Sequence, residues 1–186
     1  MKTFSGLGVS AGIGQAPALL VEPAPGLPAR DPKGDTDDDV ARVTAALSKV
    51  ADRLDARALE ADPSAIGVLM ATAMMARDPG LTSSVRTHLE EGDGPAHALW
   101  GAIDDFCAQL TAAGGYLAER VTDLHNVRDR ALAVLQGLPE PGVPAFDSPV
   151  ILVAEDLAPA DTATLDPELV RGLVTAAGGP TSHTAI

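Results

Sequence analysis

Val40, Val43, Leu47, Val50 and Leu54 recur at spacings of three and four. That period puts them on one face of a long helix, the seam by which it packs against another helix. Asp35 and Thr36 can cap its start, and Asp37, Asp38 and Asp39 fall in the first turn, where the helix dipole favours negative charge. The acidic run also has the composition of a metal site, but solvated charges at a helix start are the reading adopted. Asp62-Pro63-Ser64 ends this helix and begins a second, which carries Ile66, Leu69, Met70, Ala73, Met74 and Met75. Asp78-Pro79-Gly80 breaks that one, and a shorter piece with Leu81, Val85 and Leu89 comes next. After the turn Gly92-Asp93-Gly94-Pro95, a third helix presents Leu99, Ile103, Phe106 and Leu110. Gly114-Gly115 interrupts it, and Leu117, Val121, Leu124, Val127, Ala131 and Leu135 mark a fourth, ending near Gly137. The middle of the chain is therefore expected to be a helical bundle of two antiparallel hairpins.

The two ends read differently. Thr3 to Val9 and Ala18-Leu19-Leu20-Val21 have the look of short strands, joined by a turn-rich link in which Gly12-x-Gly14 is a tight turn. Val150-Ile151-Leu152-Val153 is a short run of β-branched type and predicts a buried strand; Leu169 to Val174 predicts another. Between them, Glu155 to Ala163 reads as a loop and helix start, with Asp161 or Thr162 able to cap. Proline-rich stretches at 22–35 and 139–149 separate these ends from the middle. The order β, then all-α, then β/α predicts a helical bundle inserted into a discontinuous β/α domain. The boundaries so drawn are 1–30 and 141–186 for the β/α part and 31–140 for the helical part.

Composition narrows the chemistry. The 186 residues carry a net charge of −13 and are only 3% aromatic. No basic stripe is visible, which argues against nucleic acid, whereas an acidic face suits a basic protein partner. No apolar run is long enough to span a bilayer and the N-terminus has no hydrophobic signal core, so the expected location is cytoplasmic. The single cysteine, Cys107, lies on an apolar helical stripe and reads as a small core residue. His88, His97 and His125 show no metal-like pairing and read as surface or half-buried residues. Three methionines within six residues suit a surface that must accept a partner, and equally suit the filling of core gaps.

The stretch richest in chemistry is the last, Gly178-Gly179-Pro180-Thr181-Ser182-His183-Thr184-Ala185-Ile186. Two glycines after a strand permit a sharp turn, Pro180 can set the first helical φ, and Thr181 or Ser182 can cap the helix that starts there. Free backbone N–H groups gather at such a strand–turn–helix junction and make an anion site. A neutral imidazole placed there, His183, can attack phosphorus while the amides hold the phosphoryl oxygens. The capping or surface role of an ordinary histidine is the alternative on local features alone.

The wording around this motif resembles Enzyme I of the phosphoenolpyruvate:sugar phosphotransferase system. Val150 to Pro159 is similar to that family's VILVA-x-DL-x-P, and Gly178 to Ile186 to its GG-x-TSH-x-(A/S)-I. Gly6 to Gly14, Ala73 to Leu81 and Leu117-Ala118-Glu119-Arg120 resemble further family motifs, so the likeness runs along the whole chain in order. Pyruvate phosphate dikinase and phosphoenolpyruvate synthase carry similar histidine motifs, which leaves a swivelling domain of that type as the alternative function. A non-catalytic helical interaction module is the alternative from another class.

The resemblance implies a swivelling phosphohistidine domain with an inserted four-helix domain that binds the carrier protein HPr. It implies that His183 takes the phosphoryl group from phosphoenolpyruvate on Nε2 and passes it to a histidine of HPr. Thr162 falls at the position whose hydroxyl contacts that histidine, and Gly178, Gly179, Thr181 and Ser182 would cradle the phosphate. Met74, Met75, Leu81, Leu117 and Arg120 match positions that meet HPr. Pro180 stands where several relatives have arginine. The resemblance also implies a large C-terminal barrel holding phosphoenolpyruvate, Mg²⁺ and the dimer contacts, so the chain is expected to be an N-terminal fragment.

Overall fold

The computed structural model describes residues 6–21, 23–61, 63–155, 157, 159–162 and 165–177. Residues 1–5 and the whole Gly178–Ile186 motif, His183 included, lie outside the described residues.

The helical part begins with α1, Thr36–Glu60, capped by Asp35, whose carboxylate accepts from the N–H groups of Asp37 and Asp38. Two of the three acids behind the cap face solvent, as expected, but Asp39 does not. It is buried and accepts from the Gly34 N–H at 2.6 Å and from Arg42 at 2.9 Å, strapping the preceding segment to the helix. The expected seam is buried in full: Val40, Val43, Leu47, Val50 and Leu54. Against α1 packs α2, Pro63–Ala76, and then α3, Pro79–Glu91, which starts on the Asp78 cap. Helix α4, Pro95–Ala113, packs on α3, and α6, Val121–Gln136, closes the bundle against α1 and α4. Cys107 lies in the common core, where burial pushes its thiol pKa up.

The fourth expected helix is broken in two. A short α5, Gly115–Glu119, precedes α6, and Arg120 ends one and starts the other. Upstream, Gly114 and Gly115 both take positive φ (71° and 56°), which ends α4 and turns the chain into α5. At Arg120 the N–H donates back to the Leu117 carbonyl at 3.0 Å, the tighter i to i−3 turn that separates α5 from α6. The proline-rich stretch 22–35 is held along the bundle. The Asp31 carboxylate accepts from the His97 N–H at 2.9 Å and stands 3.1 Å from its Nδ1.

The ends of the chain meet in one parallel sheet of order β1-β2-β3, formed by Ala18–Leu20, Val150–Ala154 and Val170–Thr175. Ala18 aligns with Ile151 and Leu20 with Val153; Ile151 aligns with Gly172 and Val153 with Val174. The bundle is thus inserted between two neighbouring strands. One face of the sheet buries Val150, Leu152 and Ala154, and a small cluster of Val21, Ala154 and Leu157 packs with Val143 and Leu173. The other face leaves Leu20 and Val174 exposed. The expected strand Thr3–Val9 lies partly outside the described residues, and over its described part, residues 6–9, no strand is present. Gly6 and Gly8 alternate with Leu7 and Val9, both exposed, so the segment has no buried face to hold it on a sheet.

Candidate functional site

In a parallel sheet the natural ligand position is the crevice beyond the carboxyl ends of the strands. Here all three ends open on one cavity of about 510 Å³. Val21 follows β1, Glu155 follows β2 and Ala177 lies two residues beyond β3, and each lines it. The opposite wall is α6, through Thr122, His125, Asn126, Arg128 and Asp129, and the floor includes Gly142 and Asp161. Helix α7, Pro159–Thr162, lies beside it and ends on Thr162. The histidine motif leaves the strand at this rim, since Gly178 follows Ala177 directly in the chain.

The wall is polar and largely committed. Arg128 lies over the Trp100 ring at 3.8 Å and donates from Nε to Asp129 at 2.8 Å. Burial lowers the His125 pKa, and the neighbouring Arg128 cation lowers it further, against the opposing pull of Asp129 and Asp104. Behind these stands an ionic node that the hydrophobic pattern did not reveal. Arg130, 1% exposed, donates to Asn126 Oδ1 at 2.8 Å, to Glu140 and to Asp161. Arg53 donates to the other Glu140 oxygen at 2.6 Å, and Arg57 lies 3.9 Å from Asp161. Burial and the nearby Arg130 charge lower the Arg57 pKa. The node joins α1, α6, the second proline-rich stretch and α7. Its sequence signal was a polar stripe, Asp123, Asn126 and Arg130, at i, i+3 and i+7 beside the apolar face of α6; all three are buried.

The residues expected to meet HPr do not share one environment. Met74 is 72% exposed, and Met70, four positions earlier on the same face of α2, is also exposed. Met75 instead packs on the bundle core. Leu117 on α5 is exposed, as is its neighbour Tyr116. Arg120 donates to Asp123 at 2.9 Å and lies over the Tyr116 ring at 4.5 Å. Leu81, by contrast, is fully buried, because α3 turns it inward with Val85 and Leu89. Among the described residues no group of three or more His, Cys, Asp or Glu is arranged to hold a metal ion.

Residues 5–120 match the family model described as PEP-utilising enzyme, N-terminal, and residues 146–186 match PEP-utilising enzyme, mobile domain. The chain belongs to the PEP-utilising enzymes. Within that family it is similar to a phosphoenolpyruvate-protein phosphotransferase of Streptomyces coelicolor, 45% identical over 190 residues. That match takes in 99% of this chain and 34% of the relative. One from Lactococcus lactis is 33% identical over 98% of this chain and 33% of its own length. The chain therefore spans about a third of the length of these curated relatives. Among solved structures, the NMR structure of an Enzyme I protein superposes with a TM-score of 0.79 at 27% identity, covering 95% of this chain and 75% of that one. The N-terminal domain of Enzyme 1 – Nitrogen shares the fold, with a TM-score of 0.62 at 22% identity over 91% of this chain and 72% of that one. As a PEP-utilising enzyme, this chain has the N-terminal architecture of Enzyme I: a bundle inserted into the mobile β/α part.

Proposed function

We propose that this chain is the HPr-facing, phosphohistidine-bearing part of a phosphoenolpyruvate-protein phosphotransferase of the sugar phosphotransferase system. The supporting observation is positional: β3 ends at the rim of the cavity, and the Thr-Ser-His motif of the mobile domain follows within a few residues. In this reading His183 is the phosphoryl carrier. Its neutral ring attacks phosphorus through Nε2, a bond forms to the phosphoryl group, and the bond to the donor breaks in line. An unperturbed histidine, with pKa ~6.5, is largely neutral near pH 7. The amides after Gly178 and Gly179, with Thr181 and Ser182, hold the phosphoryl oxygens, and the Thr162 hydroxyl orients the ring. Transfer to a histidine of HPr reverses the same bonds, so positioning governs the rate.

The docking surface in this reading is the exposed part of the bundle carrying Met70, Met74 and Leu117, with Met75 behind them. The tethering of Arg120 to Asp123 leaves it at the edge of that surface. No step here runs through Mg²⁺. Phosphoenolpyruvate, Mg²⁺ and dimerisation belong, in this proposal, to the remainder of the longer proteins that this chain matches over a third of their length. The boundaries 1–30, 31–140 and 141–186 divide the carrier from the docking part.

The test uses the chain with phosphorylated HPr and, separately, with phosphoenolpyruvate and Mg²⁺. An acid-labile phosphate adduct by intact mass is expected from phospho-HPr, absent in His183→Ala. No adduct is expected from phosphoenolpyruvate alone. Failure to gain mass from phospho-HPr would overturn the carrier role.

A further inference from the structure

A four-residue helix cannot hold its own position, because it closes barely one turn. Helix α7 is of that length, and it touches the bundle through α2 and α6. What fixes it is the ionic node. Asp161, 8% exposed, receives Arg130, stands 3.4 Å from the Asn126 amide and 3.9 Å from Arg57. Room for that carboxylate depends on Gly142, whose φ is 116° and where a Cβ would stand 2.6 Å from Asp161 Oδ1. Every cation of the node comes from the bundle: Arg53 and Arg57 from α1, Arg130 from α6.

Stability alone does not call for such a cluster, since well-packed apolar residues hold a buried contact as well or better. A guanidinium adds direction. Its rigid fork, bridging Glu140 and Asp161 at once, admits one orientation of α7 against α6. Thr162 is the next residue, with its Cα about 3.8 Å along the chain. We propose that Arg130 is a positioning residue: through Asp161 it fixes α7 on the bundle and so sets where the Thr162 hydroxyl stands at the phosphoryl-transfer site. This rests on the reading of His183 as the carrier and names a group of the helical part that acts on it.

The experiment compares the parent chain with Asp161→Asn, Arg130→Lys and Gly142→Ala, and with Arg86→Gln, which breaks only the exposed pair to Asp37. Three quantities are read: the rate of phosphoryl uptake at saturating phospho-HPr, the HPr dissociation constant, and the ¹³C–¹H peak of the Thr162 methyl group. The three node variants are expected to slow uptake about tenfold or more, since small misplacements at a transfer site are costly. HPr affinity should hold within about twofold and the Thr162 peak should move; Arg86→Gln should change none of the three. A folded Asp161→Asn chain with parental uptake, or an unmoved Thr162 peak, overturns the proposal. Asp161→Asn is nearly isosteric and decides the matter if Arg130→Lys does not fold. If the parent itself takes no phosphate, the carrier reading falls, and the Thr162 peak still judges the positioning claim.

Discussion

Leu81 and Met74 lie seven positions apart on either side of a helix break, and alanine should do opposite things to them. Leu81 is fully enclosed by α3 and its neighbours in the core, so Leu81→Ala leaves a cavity and should cost about 2–5 kcal/mol. Met74 stands mostly in solvent, so Met74→Ala should change stability by less than about 0.5 kcal/mol while weakening HPr binding. Urea melts and an HPr titration on both variants check this. A stable Leu81→Ala chain with lost HPr affinity would return Leu81 to the docking surface. The contrast also shows where residue-level reading is blind. The stretch Ala73 to Leu81 holds both buried and exposed side chains, and only the folded structure separates them. Arg130 makes the same point in reverse, because its partners lie 10 and 31 positions away and no local pattern links them.

At the scale of elements, spacing carried most of the information. The helix seams were legible because each of the long helices α1, α3, α4 and α6 buries one stripe against a single common core, so the period of 3.6 survives in the sequence. Strands β2 and β3 were legible as short apolar runs. In the segment before β1, residues 6–9 form no strand, because a strand needs a partner edge and pairing is not written in so short a local pattern. The break between α5 and α6 was hidden because the apolar spacing of Leu117, Val121 and Leu124 runs across it unchanged. The start of α1 is a local device and can be tested as one. Asp35 accepts from Asp37 N at 2.9 Å and from Asp38 N at 3.3 Å, so Asp35→Ala should cost about 1 kcal/mol. The check is the midpoint of urea unfolding; no change would mean that Asp39, through Gly34, anchors the helix start without the cap.

For the whole molecule, the decisive feature is that two cores of very different size are joined by charge. Among the described residues the bundle core runs through α1, α2, α3, α4 and α6, while the sheet cluster holds Val21, Ala154 and Leu157 with Val143 and Leu173 half-buried beside them. Apolar burial is the main source of resistance to local opening, so the two regions should not open together. Between them lies the node at Arg130, Glu140 and Asp161, which orients the parts but, being ionic, adds little net cohesion over apolar packing. Native-state hydrogen exchange should therefore find two classes of amide. Those of Leu152 and Val153 in β2 should exchange through a lower-energy opening than those of Val50 in α1 and Leu99 in α4. Raising salt should leave both classes nearly unchanged, because the node is buried and buried pairs are weakly screened. Equal protection in strand and bundle would show that the molecule opens as one unit. In that case the node transmits stability as well as orientation, and Asp161→Asn should lower the protection of α6 along with that of the sheet.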